Sequence, residues 1–334
     1  MRASVLLLLL LAGSAASAAE PLPLEGFAPD GHARLQLAGD TLQPTVFVPS
    51  FRVAFQIAGK VTASTRESYA LGSNRSGTRV TSNTVLEGVD FALMQQITDR
   101  AYADFQARLA ARGYTQLEPA AWMAASSASK LDWGKHSTAE AVVTAESNNG
   151  VAESAYVLVV PSGQRNWPET TMPANLGALR GLTRELQATP IIPRLVVNYV
   201  QMRSSGKGKS GFFSRGSEVS TAPLLHAAAY AGGFSFDTWR ARVGQHGGFV
   251  DFLPEAVLSV PGDFVSIDES DGDEGTRAGN TANAITWALA GVGSFAEAHY
   301  LTYRADAPRY AQLAEQVLAM QSEALLSTLE PARR

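Results

Sequence analysis

The sequence predicts a mixed α/β protein, with helices packed against a sheet of mixed strand direction. Three observations carry that prediction. Two long segments, 87–112 and 307–329, repeat apolar residues at helical spacing. A continuous apolar run, Ala155-Tyr156-Val157-Leu158-Val159-Val160, is bounded by Pro161-Ser162-Gly163, as in a strand buried on both faces. Strand-like and helical segments also succeed one another along the chain as β-α-β, then β-α-β-β-β-α-β-α.

The amino terminus comes first. Arg2 precedes an unbroken leucine run from Leu6 to Leu11, followed by the small residues of Ala16-Ser17-Ala18. A basic start, a short apolar stretch and a small-x-small site are the three parts of a secretory signal peptide. Residues 1–18 are therefore expected to be removed after Ala18, leaving a periplasmic or secreted mature chain. The apolar stretch is too short for a transmembrane helix, which needs about 20 residues. Residues 19–45 contain four prolines and are predicted to form an extended leader.

The α/β domain is predicted over 46–215. From Phe51 to Ile57 apolar and polar residues alternate, which predicts a half-buried strand, and Pro49 suggests an edge or a bulge. Residues 72–84 are rich in glycine, serine, asparagine and threonine and predict a loop or hairpin tip. The first helix is predicted from about Glu87 to Arg112, with Phe91, Met94, Ile97, Ala101, Phe105 and Leu109 on its buried stripe. Gly113 follows as a left-handed cap, then a short strand at Tyr114-Leu117. Residues 120–150, rich in alanine and serine, carry no clear periodicity.

Leu176, Leu179, Leu182 and Leu186 predict a second helix, and Arg194–Met202 a strand. That strand enters a polar tip at 204–214 and returns as a long hairpin through 218–231. Residues 216–334 are predicted to continue the sheet within the same globule. They hold a strand at 256–267, a small-residue helix at Thr281–Ala290, and a last helix with Asp306 as N-cap and Pro308 in its first turn. Tyr310, Leu313, Val317, Ala324 and Leu325 form its buried stripe.

Composition narrows the function classes. A net charge of −4 gives no basic stripe for nucleic acid, so no nucleic-acid partner is expected. The chain has no cysteine, which removes disulfides, thiolate metal sites, a cysteine nucleophile and a lipidated anchor. No later segment has the length of a membrane span, so the mature chain is expected to be soluble.

Each chemical motif falls short of its requirement. Gly206-Lys207-Gly208-Lys209-Ser210 resembles the tail of a phosphate-binding loop, but Arg203 stands where the first glycine belongs and a hairpin return follows. The acidic run Asp268–Glu274 has oxygen ligands suited to calcium but not the spacing of a calcium loop. His32, His136, His226, His246 and His299 make no helical zinc pair, and no Gly-x-Ser-x-Gly is present. Asp251, Glu255 and Asp263 with His246 have the residue types for acid–base work, without a motif to join them. Trp122, Trp133, Trp167, Trp239 and Trp287 are scattered and form no stacking ladder. Arg203, Lys207, Lys209 and Arg215 make a basic hairpin tip that keeps an edge soluble. No catalytic, cofactor or metal residue is assigned.

The strand at 46–55, the helix end Phe105-Gln106-Ala107-Arg108-Leu109-Ala110-Ala111-Arg112-Gly113-Tyr114, the short strand after it, the 156–160 run and the hairpin arm 194–206 are similar in succession to a known domain. It is the periplasmic α/β domain shared by the curli secretion channel protein and the amino-terminal domain of TolB. The resemblance covers about residues 46–215. It implies an adaptor or assembly subunit of envelope machinery that works through protein partners or self-association. The chain departs from the family in lacking a lipobox cysteine, in the 72–84 loop, and in its long C-terminal portion. The function expected is a soluble exported interaction or assembly protein without a catalytic centre. The alternatives are a periplasmic hydrolase with an Asp/Glu/His site, or a protein binding a small apolar ligand or lipid.

Overall fold

A computed structural model describes residues 23–24, 26–29, 31–35, 43–64, 79–131, 142–146, 152–165, 172–207, 216–227, 240–244, 249–270 and 298–329. Its strands run β1 Ala33–Leu35, β2 Thr45–Phe47, β3 Arg52–Ser64, β4 Arg79–Glu87, β5 Thr115–Gln116, β6 Val142–Glu146 and β7 Ala152–Val159. They continue as β8 Thr189–Lys207, β9 Gly216–Ala227, β10 Arg240–Gly244, β11 Phe249–Pro254, β12 Leu258–Val260, β13 Val265–Ser270 and β14 Ala298–Ala305. The helices are α1 Phe91–Ala111, α2 Pro119–Met123, α3 Met172–Leu186 and α4 Ala307–Ser327, with a 3-10 turn at Ser126–Lys130. The mixed α/β class is as the alternation of segments predicts.

The main strand order is β1-β11-β10-β8-β3-β4-β14-β13. β3 is its pivot. Its first half pairs in parallel with β8, through Arg52↔Arg194 to Phe55↔Val197, and antiparallel with β7 on its other edge. A bulge lies between Gln56 and Ala58, and beyond it β4 takes over the edge that β8 has left. β14 joins β4 in parallel and β13 closes that end. Strands from beyond residue 216 thus pair directly with strands from the first half of the chain.

Helices cover both faces. The sequence neighbours Val46 and Phe47 are both buried, yet they enter different clusters, and so do Ile191 and Ile192. Successive strand residues point to opposite faces. Val46 and Ile191 therefore mark the side that α1 and α4 pack on, and Phe47 and Ile192 the side of α2 and α3. A sheet covered on both faces explains the continuous burial of Ser154 to Val160.

The helix ends follow local chemistry. Asp90 accepts a hydrogen bond from Leu93 N at 2.8 Å and caps α1, and Asp306 accepts from Arg309 N at 3.0 Å and caps α4. Gly113, at φ 74°, ends the α1 segment as expected. The stripe of Tyr310, Leu313, Val317, Ala324 and Leu325 is buried. So is that of α1 from Met94 to Leu109, but Phe91 is 39 % exposed because it opens the first turn.

Several expectations are corrected. The start of the α1 segment is not helical at Glu87, because β4 runs to that residue. Gly88 then turns the chain at φ 84°, where a side chain would also meet the Ala305 carbonyl at 2.8 Å. Residues 79–84 belong to β4 rather than to a loop, since their apolar and hydroxyl side chains fill the face between β3 and β14. β3 is not half-buried: Arg52, Gln56 and Lys60, on its polar positions, are buried as well. Within residues 19–45, Ala33–Leu35 adds β1 to the sheet against β11. The strand expected at 256–267 is two strands, β12 on β9 and β13 on β14, with a break at 261–264. The Thr281–Ala290 helix lies outside the described residues.

Two glutamines mend β8 where it changes neighbours. On the β3 side, Gln56 Oε1 accepts from Tyr199 N at 3.2 Å, just past the end of the parallel ladder. On the opposite edge, β10 pairs β8 up to Arg194 and β9 begins at Asn198. The interval at Val196 is filled by Gln321 of α4, which accepts from Val196 N at 2.9 Å and donates to Val196 O at 2.8 Å. Buried backbone groups need such partners.

Candidate functional site

The ladders from β1 to β7 hold one register without a break as far as Gln56, so each residue can be assigned to a face. One face carries Ala33, Phe252, Pro193, Leu195, Val53, Phe55, Val157 and Val159 at its positions. It is apolar throughout and belongs to the side of α1 and α4. The other face bears five arginine positions on four strands: Arg34 on β1, Arg240 and Arg242 on β10, Arg194 on β8, and Arg52 on β3. Asp251 on β11 is the single acidic position in the same set, opposite Arg242. Arg52, Arg194 and Arg240 stand in one line across three neighbouring strands.

Arg52 and Arg194 are only 5 % and 7 % exposed. Both hold partners within the chain. Ile192, two residues before Arg194 on the same face, sits in the cluster built on α3. The α3 layer thus covers this face at the level of Ile192, the residue with which Arg242 is registered. Beyond Arg52 and Arg194 on this face lie Gln56, whose amide donates to Ser154 Oγ at 2.9 Å, and Tyr156, whose hydroxyl donates to Asn198 Oδ1 at 3.0 Å.

Past the bulge the β8–β9 hairpin packs against β3, β4 and β14 through hydroxyls. Tyr199 donates to Thr84 Oγ1 at 2.8 Å, and Tyr303 to Thr221 Oγ1 at 3.0 Å. The two rings meet edge-on with centroids 5.4 Å apart. Burial pushes the phenol pKa of Tyr199 well above its ordinary value and that of Tyr303 and Tyr310 upward too, so all three stay protonated, Tyr199 and Tyr303 as donors. Gly59 admits the arm, since a side chain there would lie 2.8 Å from Met202 Sδ and 2.9 Å from Thr84 Oγ1.

The helix pair α1 and α4 is joined by charge. Arg108 Nε donates to Asp104 at 2.7 Å and its Nη1 to Glu323 at 2.7 Å, while Arg112 also pairs with Glu323. Burial opposes the charge on Arg108, but the hydrogen bonds and charges of Asp104 and Glu323 outweigh it and raise its pKa. Arg100 approaches Glu315 at 2.9 Å; burial still raises the Glu315 pKa, with Arg100 working against it. Arg112, at the end of the α1 segment, faces α4.

The sequence-derived candidates separate in space. Gly206 and Lys207 end β8, and Lys207 is registered with Gly216 of β9, so a strand and not a helix follows the phosphate-loop-like segment; residues 208–215 lie outside the described set. Arg203 is exposed on the same arm. Asp268 and Glu269, the start of the acidic run, are on strand β13, where Asp268 accepts from Arg304 Nε at 2.6 Å. Asp271–Glu274 lie outside the described residues, as do His136, His246, Trp133, Trp167, Trp239 and Trp287. Glu255 and Asp263 are exposed. His32 stacks on Phe27 with centroids 5.1 Å apart, and His299 is on β14 opposite Ser82. Trp122 is core, against Phe47.

His226 is buried on β9, and its Nε2 donates to Val200 O at 3.1 Å across the irregular register between Asn198 and Val200. Burial lowers its pKa, with the Val200 carbonyl working in the other direction.

Sequence reasoning passed over the arginine face. Its only local trace is alternation, as in Arg240-Ala241-Arg242-Val243, since the register that aligns four strands is set by residues far apart. Among the described residues no three His, Cys, Asp or Glu side chains gather as a metal site would require, and no helix is long and apolar enough to cross a membrane. Compared with described protein families, with curated proteins and with solved structures, the chain matches none of them.

Proposed function

We propose that this chain is an exported protein of the cell envelope that works by protein–protein contact, as an interaction or assembly subunit without a catalytic centre of its own. The observation that carries the reading is the β13 edge. β13 is the last strand of the sheet, and among the described residues only β14 pairs with it. Ser266, Ile267, Asp268 and Glu269 are exposed, and Ile267, a large apolar side chain, is 45 % exposed on that strand. A strand edge with an accessible apolar side chain is the geometry used for strand addition by a partner. Proteins that do not use such an edge blunt it with charge, and here Asp268 is already engaged by Arg304 of the same chain.

The export signal at residues 1–18 and the similarity of 46–215 to the curli-channel and TolB amino-terminal type of domain point the same way, and add the periplasm as the place of work.

The test is a photo-cross-linking amino acid at position 267 in the mature chain, expressed in the envelope. Adducts to one protein, or to a second copy, are expected, and Ile267→Pro should abolish partner binding without loss of fold. A mature chain that stays monomeric at all concentrations and forms no adduct from position 267 would sink the reading.

A further inference from the structure

The way β13 is bonded to β14 fixes what its other edge offers. Asp306 N donates to Phe264 O at 2.8 Å, and these two residues face each other when the register Val265↔Ala305 is continued by one step. In an antiparallel ladder, facing residues alternate between pairs that exchange backbone bonds and pairs that do not. Phe264, Ser266, Asp268 and Ser270 therefore turn their backbone groups toward β14. Val265, Ile267 and Glu269 turn theirs the other way, along the outer edge. No proline, lysine or register shift interrupts β13, so the acidic side chains are what could blunt that edge. Asp268 is engaged by Arg304, and Glu269 also holds a partner within the chain.

The outward residues are centred on Ile267, which makes the edge complementary to itself. Turned about a two-fold axis at Ile267, a second β13 runs antiparallel to the first. Ile267 then faces Ile267 of the second copy, and Val265 faces its Glu269. Each outward residue meets an outward residue, as bond exchange requires. On one face the exposed Ile267 side chains lie against each other. On the other, Asp268 faces Ser266 of the second copy, whose hydroxyl can donate to it. Centring on Asp268 instead would set two like charges directly opposite, which is destabilising. Centring on Ser266 would carry Glu269 past Val265, the first residue of the second strand. A two-fold contact uses the same patch on both copies, and this patch fits itself in one register.

We propose that the β13 edge takes a second copy of this chain, added as an antiparallel strand about a two-fold axis at Ile267. The proposal rests on the reading of that edge as the interaction site. The edge alone is a small contact, so the dimer is weak and forms as concentration rises.

The chain has no cysteine, so a single introduced thiol reports on this contact alone. Facing Cα atoms are about 5.5 Å apart in bond-exchanging pairs and about 4.5 Å in the others, both within disulfide reach. With air and a copper–phenanthroline catalyst, the mature Ile267→Cys chain should form a covalent dimer. Ser266→Cys mixed with Asp268→Cys should form a mixed dimer. Either variant by itself should not, since its thiols sit two residues out of register with Cα atoms about 8 Å apart. All three positions are exposed, so the core is left intact. In sedimentation equilibrium the mature chain should dimerise, and Ile267→Pro, which removes an N–H that β14 does not use, should weaken the dimer about tenfold or more. The thiol tests decide the matter even if the proline variant does not fold. No covalent dimer from Ile267→Cys, or equal yields from Ser266→Cys alone, Asp268→Cys alone and their mixture, overturns the proposal. Photo-adducts from position 267 to a different envelope protein, with none to a second copy, also overturn it but leave the interaction reading standing. The absence of any adduct removes both.

Discussion

The side-chain amide of Gln321 pairs with both backbone groups of Val196, a residue 125 positions earlier in the chain, in the manner of a neighbouring strand. Gln321 is fully buried in the middle of α4, and its amide also donates to Val317 O at 3.2 Å within the helix. One helical side chain thus completes the sheet at the place where β10 has ended and β9 has not begun.

Gln321→Leu keeps the volume and removes both bonds. It should destabilise the protein by about 1–3 kcal/mol for each of the two backbone groups left without a partner. A guanidinium titration reading the midpoint at constant slope checks this. A variant as stable as the wild type would mean that Val196 finds water or another donor.

The α1–α4 seam predicts a coupled loss. Arg108 and Glu323 are 8 % and 18 % exposed at their side chains, so their pair is poorly screened. Glu323→Gln should cost about 1.5–3 kcal/mol, the worth of hydrogen bonds to a charged group. A double-mutant cycle with Arg108→Met should show coupling of roughly 1–3 kcal/mol. Additive effects would show that the two charges do not depend on one another.

Gly59 is a matter of space. Gly59→Ala should cost about 1–3 kcal/mol, as overpacking of a filled interior does. The cost should fall when Met202→Ala is made in the same chain, because Met202 Sδ is the nearest obstacle. Thermal melts of the two single variants and the double variant decide it.

His226 sets a pH dependence. Its folded pKa lies below the ordinary value of about 6.5, so the unfolded chain binds the proton first as pH falls. The contribution is fully present above about pH 6.5 and is lost as pH drops below it, at no more than ~1.4 kcal/mol per pH unit. His226→Gln keeps a donor for Val200 and removes the titration. Its Tm should vary less between about pH 7.5 and 5.5 than that of the wild type. Parallel Tm curves for the two proteins would assign the acid sensitivity elsewhere.

Much of the architecture was readable from pattern, because helical stripes and apolar runs are local. The stripe of α4, the caps at Asp306 and Gly113, the buried run of β7 and the β8–β9 hairpin all follow from residues within one or two turns of each other. Readings failed where a distant partner reversed the local rule. Arg52 and Gln56 alternate with apolar residues as on a solvent-facing strand, yet both are buried, and the Gln56 amide is held between Ser154 Oγ and Tyr199 N. Asp268 looks like part of an acidic loop, but its backbone is held in a ladder by Thr302. Arg112 has the position of a surface charge and is claimed by Glu323.

By itself the sequence determined the α/β class, the residue content that leaves no thiol chemistry, and the apolar stripes of the two long helices, because each depends on composition or on neighbours along the chain. Only the tertiary structure decided that Arg34, Arg52, Arg194, Arg240 and Arg242 share one face, and that Gln321 stands in for a strand at Val196. Those facts come from strand register and helix placement, and register is set by pairing between segments far apart in sequence.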